Sequence, residues 1–71
     1  MLHNFAHNLY HYRTEKNWNQ KQAAQKLGLL PSTYQKYESG INEPRISTLL
    51  QIANFYKVSL DELVGVESES E

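Results

Sequence analysis

Apolar residues recur along this chain at steps of three and four, the period of a helix that buries one face. Leu2, Phe5, Leu9 and Tyr12 form the first such stripe, which predicts an amphipathic helix ending near Lys16. Asn17-Trp18-Asn19 breaks the pattern. Asn19 suits an N-cap, and Gln22 three positions later can complete a capping-box arrangement, so a second helix is predicted to start there. It is short, with Ala23, Ala24 and Leu27 as its inner face, and Gly28 supplies the left-handed residue that ends it.

A third helix follows at once. Pro31 suits a first helical position, having no N–H to satisfy, while Ser32 with Gln35 offers a rival capping pair. Tyr34 and Tyr37 fall on one side of this helix, and Ser32, Thr33, Gln35 and Lys36 lie around the rest. Gly40 marks the stop, and Gly40-Ile41-Asn42-Glu43-Pro44 reads as loop. Ile46, Leu49, Leu50, Ile52, Ala53 and Tyr56 define a strongly apolar fourth helix. Ser59-Leu60-Asp61-Glu62 is a capping box that opens a fifth, burying Leu60 and Leu63. No strand alternation or repeat is present, so the fold class is all-α, a compact domain of five helices over residues 1–64. Residues 65–71, GVESESE, have almost nothing to bury and are expected to form an acidic, disordered tail.

Length and composition narrow the classes. Seventy-one residues enclose one modest core. Cysteine is absent, which removes disulfides, zinc-thiolate clusters and thiol nucleophiles. MLHNFAHNLY has neither the basic start nor the apolar run of a signal peptide or membrane span, so a cytoplasmic protein is expected. The net charge of −1 conceals an uneven distribution. Residues 1–60 hold all seven bases against Glu15, Glu38 and Glu43, a balance of +4, while residues 61–71 hold five acids and no base, a balance of −5. A basic body with an acidic end is compatible with phosphate contact if the tail points away.

The stretch at about 19–39 combines two short helices, small residues on the first and a glycine between them. Ala23 and Ala24 permit close approach, and Gly28 permits the reversal. In such a unit the second helix can lie in the major groove of DNA while the first crosses the phosphate backbone. Asn19 and Gln20 stand at a helix N-terminus, where orphan N–H groups and the dipole favour an anion.

Other chemistry-bearing patterns have plainer readings. His3, His7 and His11 sweep only about 80° of one helical face. Two such histidines bind zinc when a third ligand converges, but no HExxH pattern, cysteine or convergent acid accompanies them, so a solvated or subunit-facing stripe is expected. No nucleophile elbow, glycine-rich phosphate loop or paired-carboxylate spacing is present, so neither an enzyme, a cofactor nor a small-molecule substrate is expected.

The sequence resembles the phage repressor and Cro family, the lambda-repressor-like helix-turn-helix regulators. The resemblance runs from about Leu9 to Val64. It is carried by Arg13, Gln20, Ala24, Leu27-Gly28, Glu38, Gly40, Pro44, the run Thr48-Leu49-Leu50-Gln51-Ile52-Ala53, and Val58-Ser59-Leu60-Asp61-Glu62-Leu63. It implies a five-helix domain that acts as a homodimeric repressor or regulator on a palindromic operator in double-stranded DNA. By position it implies that Asn19 and Gln20 contact phosphate and that Pro31, Ser32 and Lys36 face bases, with Thr33 and Gln35 bordering them. Asn42 and Arg45 match a loop that meets the backbone. It also implies an ion pair between Arg13 and Glu38 rather than a phosphate clamp, and core positions for Trp18, Tyr12, Tyr34 and Tyr37 rather than base-stacking platforms.

The chain departs from the family pattern at four positions. Pro31 stands where a polar base reader is common and offers only van der Waals contact with a thymine methyl or base edge. Leu30 replaces a small polar cap, Ile41 a basic loop residue, and Tyr34 a smaller aliphatic one. The thinned basic loop and acidic tail leave a rival function open: a protein-interaction module such as an antitoxin or a regulator of another repressor.

Overall fold

The computed structural model describes residues 4–65. Five helices follow in order: α1 (Phe5–Glu15), α2 (Gln20–Leu27), α3 (Pro31–Glu38), α4 (Ile46–Tyr56) and α5 (Leu60–Val64). The described residues contain no strand. Leu2, His3 and the acidic segment after Gly65 lie outside them.

The local signals act where the sequence puts them. Asn19 Oδ1 accepts from the Gln22 N–H at 2.7 Å, and Gln22 Oε1 accepts from the Asn19 N–H at 2.8 Å. Ser59 and Glu62 form the same reciprocal box at 3.0 and 2.8 Å. At α3 the two candidate starts resolve in favour of Pro31: Leu30 is the N-cap, without a side-chain hydrogen bond, and Pro31 occupies the first turn. That helix ends at Glu38 with Ser39 as C-cap, and Gly40 takes the left-handed conformation one residue later.

The core gathers one face of every helix: Phe5 and Leu9 from α1, Ala23, Ala24 and Leu27 from α2, Tyr34 from α3, Leu49, Ile52, Ala53 and Tyr56 from α4, and Leu63 and Val64 from α5. Leu60, expected inside, is half-buried against this cluster. The apolar run on α4 is wider than its buried stripe, leaving Ile46 and Leu50 60% and 53% exposed on its flank. An aromatic group seals one side. Trp18 lies 5.5 Å from Phe55 and 6.4 Å from Tyr56, and Tyr12 lies 5.8 Å from Tyr56, centroid to centroid. Trp18, Tyr12, Tyr34 and Tyr37 are therefore packing residues, while Tyr10 is exposed.

Two remote side chains satisfy carbonyls that short helices leave open at their C-termini. Gln51 Nε2 donates to the Leu27 carbonyl at 2.8 Å, tying α4 to the end of α2. Asn8 Nδ2 donates to the carbonyls of Glu62 and Leu63 at 3.1 and 3.2 Å, tying α1 to α5.

Candidate nucleic-acid interface

A three-residue turn, Gly28-Leu29-Leu30, separates α2 from α3. Gly28 sits at φ 74°, and the Leu29 N–H donates to the Ala24 carbonyl at 2.9 Å, so the chain reverses within one helical turn. Ala23 and Ala24 have no exposed surface, and that lack of bulk lets α3 settle against α2.

Tyr34 fixes which face of α3 points outward. It is fully buried, and its hydroxyl lies 3.0 Å from that of Tyr56 on α4. Burial first, and then the shared hydrogen bond, push its pKa far above the ordinary tyrosine value. The hydroxyl is thus a neutral, permanent partner in the core. With this side anchored, Pro31, Ser32, Gln35 and Lys36 are exposed and Thr33 is half-buried. Ser32 and Lys36 stand one turn apart in a single row.

The start of α2 is held beside α3 by a buried charge pair. Glu38 Oε2 accepts from Arg13 Nε at 2.6 Å and Oε1 from Arg13 Nη2 at 3.0 Å. Arg13 Nη1 donates to the Trp18 carbonyl at 2.8 Å. The expected ion pair is therefore present, and with both side chains sheltered it is not available to clamp a phosphate. Glu38 Oε1 also accepts from Gln20 Nε2 at 2.9 Å. One carboxylate thus ties the last turn of α3 to α1 and to the first residue of α2. Gln20 is half-buried by this arrangement, with part of its amide hydrogen bonding used internally, whereas Asn19 is exposed and spends its side-chain oxygen on the cap.

The loop after α3 folds back on Lys36, whose carbonyl accepts from the N–H groups of Ile41 and Asn42 at 3.0 and 3.3 Å. Tyr37 and residues 40–45 line a shallow groove there, with Asn42 and Arg45 exposed. Ser32, Gln35, Lys36, Asn42 and Arg45 therefore belong to α3 and the loop tied to it, with Asn19 and Gln20 joined to that unit through Glu38. No group of metal-ligating residues occurs among the described residues, and His11 Nε2 faces Glu15 Oε2 at 3.2 Å on the exposed side of α1.

Two features escaped the sequence. Leu30 is 69% exposed beside Pro31, although its neighbour Leu29 packs on the core. An apolar residue at a cap position was its only signal. The second is Glu38 as the anchor of Gln20, a relation between residues 18 apart that only the fold brings together.

The helix-turn-helix family model matches residues 9–63. The chain is 37% identical over 59 residues to the HTH-type transcriptional regulator AnsR of Bacillus subtilis, covering 83% of this chain and 51% of that protein. It is 36% identical over 61 residues to the cryptic phage CTXphi transcriptional repressor RstR of Vibrio cholerae, covering 86% of this chain and 55% of the repressor. The chain thus spans about half the length of these relatives. A transcriptional regulator from Listeria innocua matches all of this chain and 66% of its own, with a TM-score of 0.86 and 34% identity.

Proposed function

The chain belongs to the helix-turn-helix family, and from that premise we propose that it binds double-stranded DNA in a sequence-specific manner as a transcriptional regulator. The observation that carries the reading is the outward row of α3. Ser32, Gln35 and Lys36 are exposed on a helix whose opposite side is immobilised by buried Tyr34, so three polar side chains stand on a rigid support. Lys donates to guanine O6 or N7, and Ser to several bases, in the major groove. Asn19 and Gln20 serve a phosphate at the start of α2, and Asn42 and Arg45 meet the backbone or minor groove beside α3. Pro31 faces a base by shape alone, and Thr33 borders the reading row.

The regulator acts in the cytoplasm as a homodimer on a palindromic operator, its two α3 helices about one helical turn of DNA apart. Repressor function is supported by RstR, named a repressor. Among the described residues no helix is long and apolar enough to cross a membrane. The exposed Ile46 and Leu50 favour the second reading, a protein-interaction module that keeps this fold.

A salt titration on duplex DNA separates the two. A DNA binder loses affinity log-linearly with salt, with a slope of about −0.9 per phosphate neutralised. Absence of affinity for every duplex in a random pool at low salt would leave the protein-interaction reading standing.

A further inference from the structure

We propose that Leu30, together with Pro31, is a specificity-determining contact for the 5-methyl group of thymine at the leading edge of α3. The inference rests on the DNA-binding reading and adds to it Leu30, a second apolar residue beside Pro31 for the thymine methyl. Leu30 occupies the N-cap of α3 in extended conformation and makes no side-chain capping bond. A cap position usually takes Ser, Thr, Asp or Asn, whose oxygen satisfies an open N–H of the first turn. Leucine forgoes that bond here. Nor does it serve the core: Leu27 is buried and Leu29 packs on the cluster, but Leu30 is 69% exposed.

Pro31 follows it, also exposed and without an N–H. Two successive positions therefore present hydrocarbon alone, directly before the polar row of Ser32, Gln35 and Lys36. The N-terminal residues of a recognition helix are those that approach base edges. In the major groove thymine alone among the four bases presents a methyl group, and an apolar side chain draws sequence information from that contact. The step is two residues wide, far less than the roughly 800 Å² each partner buries in a stable protein interface. Its size suits a methyl group, and its continuity with the polar row puts it on the same ligand.

The experiment first selects preferred duplexes from a random pool with the full chain, then replaces each thymine singly by deoxyuridine. That change removes the methyl and keeps every hydrogen-bonding group. The wild type is expected to lose about fourfold in affinity at one thymine in each half-site, the size set by one methyl-sized apolar contact. Leu30→Ala should bind the thymine duplex about fourfold more weakly and be indifferent to deoxyuridine at that position. Leu30→Ser separates reading from folding, because its hydroxyl restores a cap: it should gain thermal stability and lose the thymine preference. If no deoxyuridine duplex binds the wild type more weakly, or if Leu30→Ala keeps the full loss, the assignment to Leu30 is overturned while DNA binding stands. If no duplex is bound at all, the DNA-binding reading fails and this one with it.

Discussion

Arg13 and Glu38 meet side-on, with the guanidinium Nε 2.6 Å from Oε2 and Nη2 3.0 Å from Oε1, and the pair is sheltered where α1 crosses the end of α3. Two parallel charge-assisted bonds fix relative orientation as well as distance. Because Glu38 also accepts from Gln20, the pair governs how the start of α2 stands against α3. Removing one partner leaves a buried charge alone, which typically costs about 3–5 kcal/mol. Glu38→Ala is therefore expected to lose most of the domain's stability in urea unfolding. A loss below about 1 kcal/mol would show that water reaches Arg13 freely.

The linked hydroxyls of Tyr34 and Tyr56 predict alkaline sensitivity. Burial is the first cause of the raised pKa at both residues. An unfolded tyrosine releases its proton near pH 10, whereas the folded one retains it. Above that pH the unfolded chain binds fewer protons than the folded one, so stability falls as pH rises. The contribution is fully present below about pH 10 and declines above it by up to about 1.4 kcal/mol per pH unit per tyrosine. Urea unfolding between about pH 8 and pH 11 measures the slope, and Tyr56→Phe should reduce it. Equal slopes in both proteins would disprove the linkage.

Roles within the proposed interface separate by the kind of loss each substitution causes. Lys36→Ala should flatten discrimination between duplex sequences, because a base-edge donor is removed. Gln20→Ala should weaken binding to all sequences alike, because a phosphate contact carries no sequence information. Selected-sequence profiles of the two variants test this, and an unchanged profile for Lys36→Ala would remove Lys36 from the reading row.

Gly28 has left-handed backbone, and a Cβ built there meets nothing within 4 Å. Space is available, so the cost of Gly28→Ala is conformational alone, about 1–2 kcal/mol. For a domain of this size each kcal/mol lowers Tm by roughly 4–8 °C. Asparagine tolerates the left-handed region better, so Gly28→Asn should melt above Gly28→Ala. The reverse order would place the glycine requirement in packing.

The helices were legible because each carries local signals: the Asn19–Gln22 and Ser59–Glu62 boxes, Gly28 and Pro31 all act within three or four residues of the chain. The inner face of α2 was equally plain, since Ala23, Ala24 and Leu27 lie on one side of any helix. The limits of burial were less so. Ile46 and Leu50 have the hydropathy of core residues, and only the direction of α4 against its neighbours leaves them exposed. The candidate site divides in the same way. Family resemblance marked Ser32, Lys36 and Arg45 by position, but the tether from Glu38 to Gln20 depends on packing that no periodicity encodes.

Asn8 reaches residues 62 and 63, and those two bonds predict an order in time as well as fixing a shape. A five-residue helix such as α5 does not persist alone in water. Its clasp to α1 closes more than fifty residues of chain, which carries an entropic cost that the neighbouring pair α2 and α3 avoids. During refolding, amide protection is expected to appear first in α2 and α3 and last in α5, a succession that pulse-labelled hydrogen exchange resolves residue by residue. Protection of α5 before α3 would contradict it. On that expectation the helix-turn-helix serves as the nucleus for the rest of the domain, and the clasp between the first and last helices closes last.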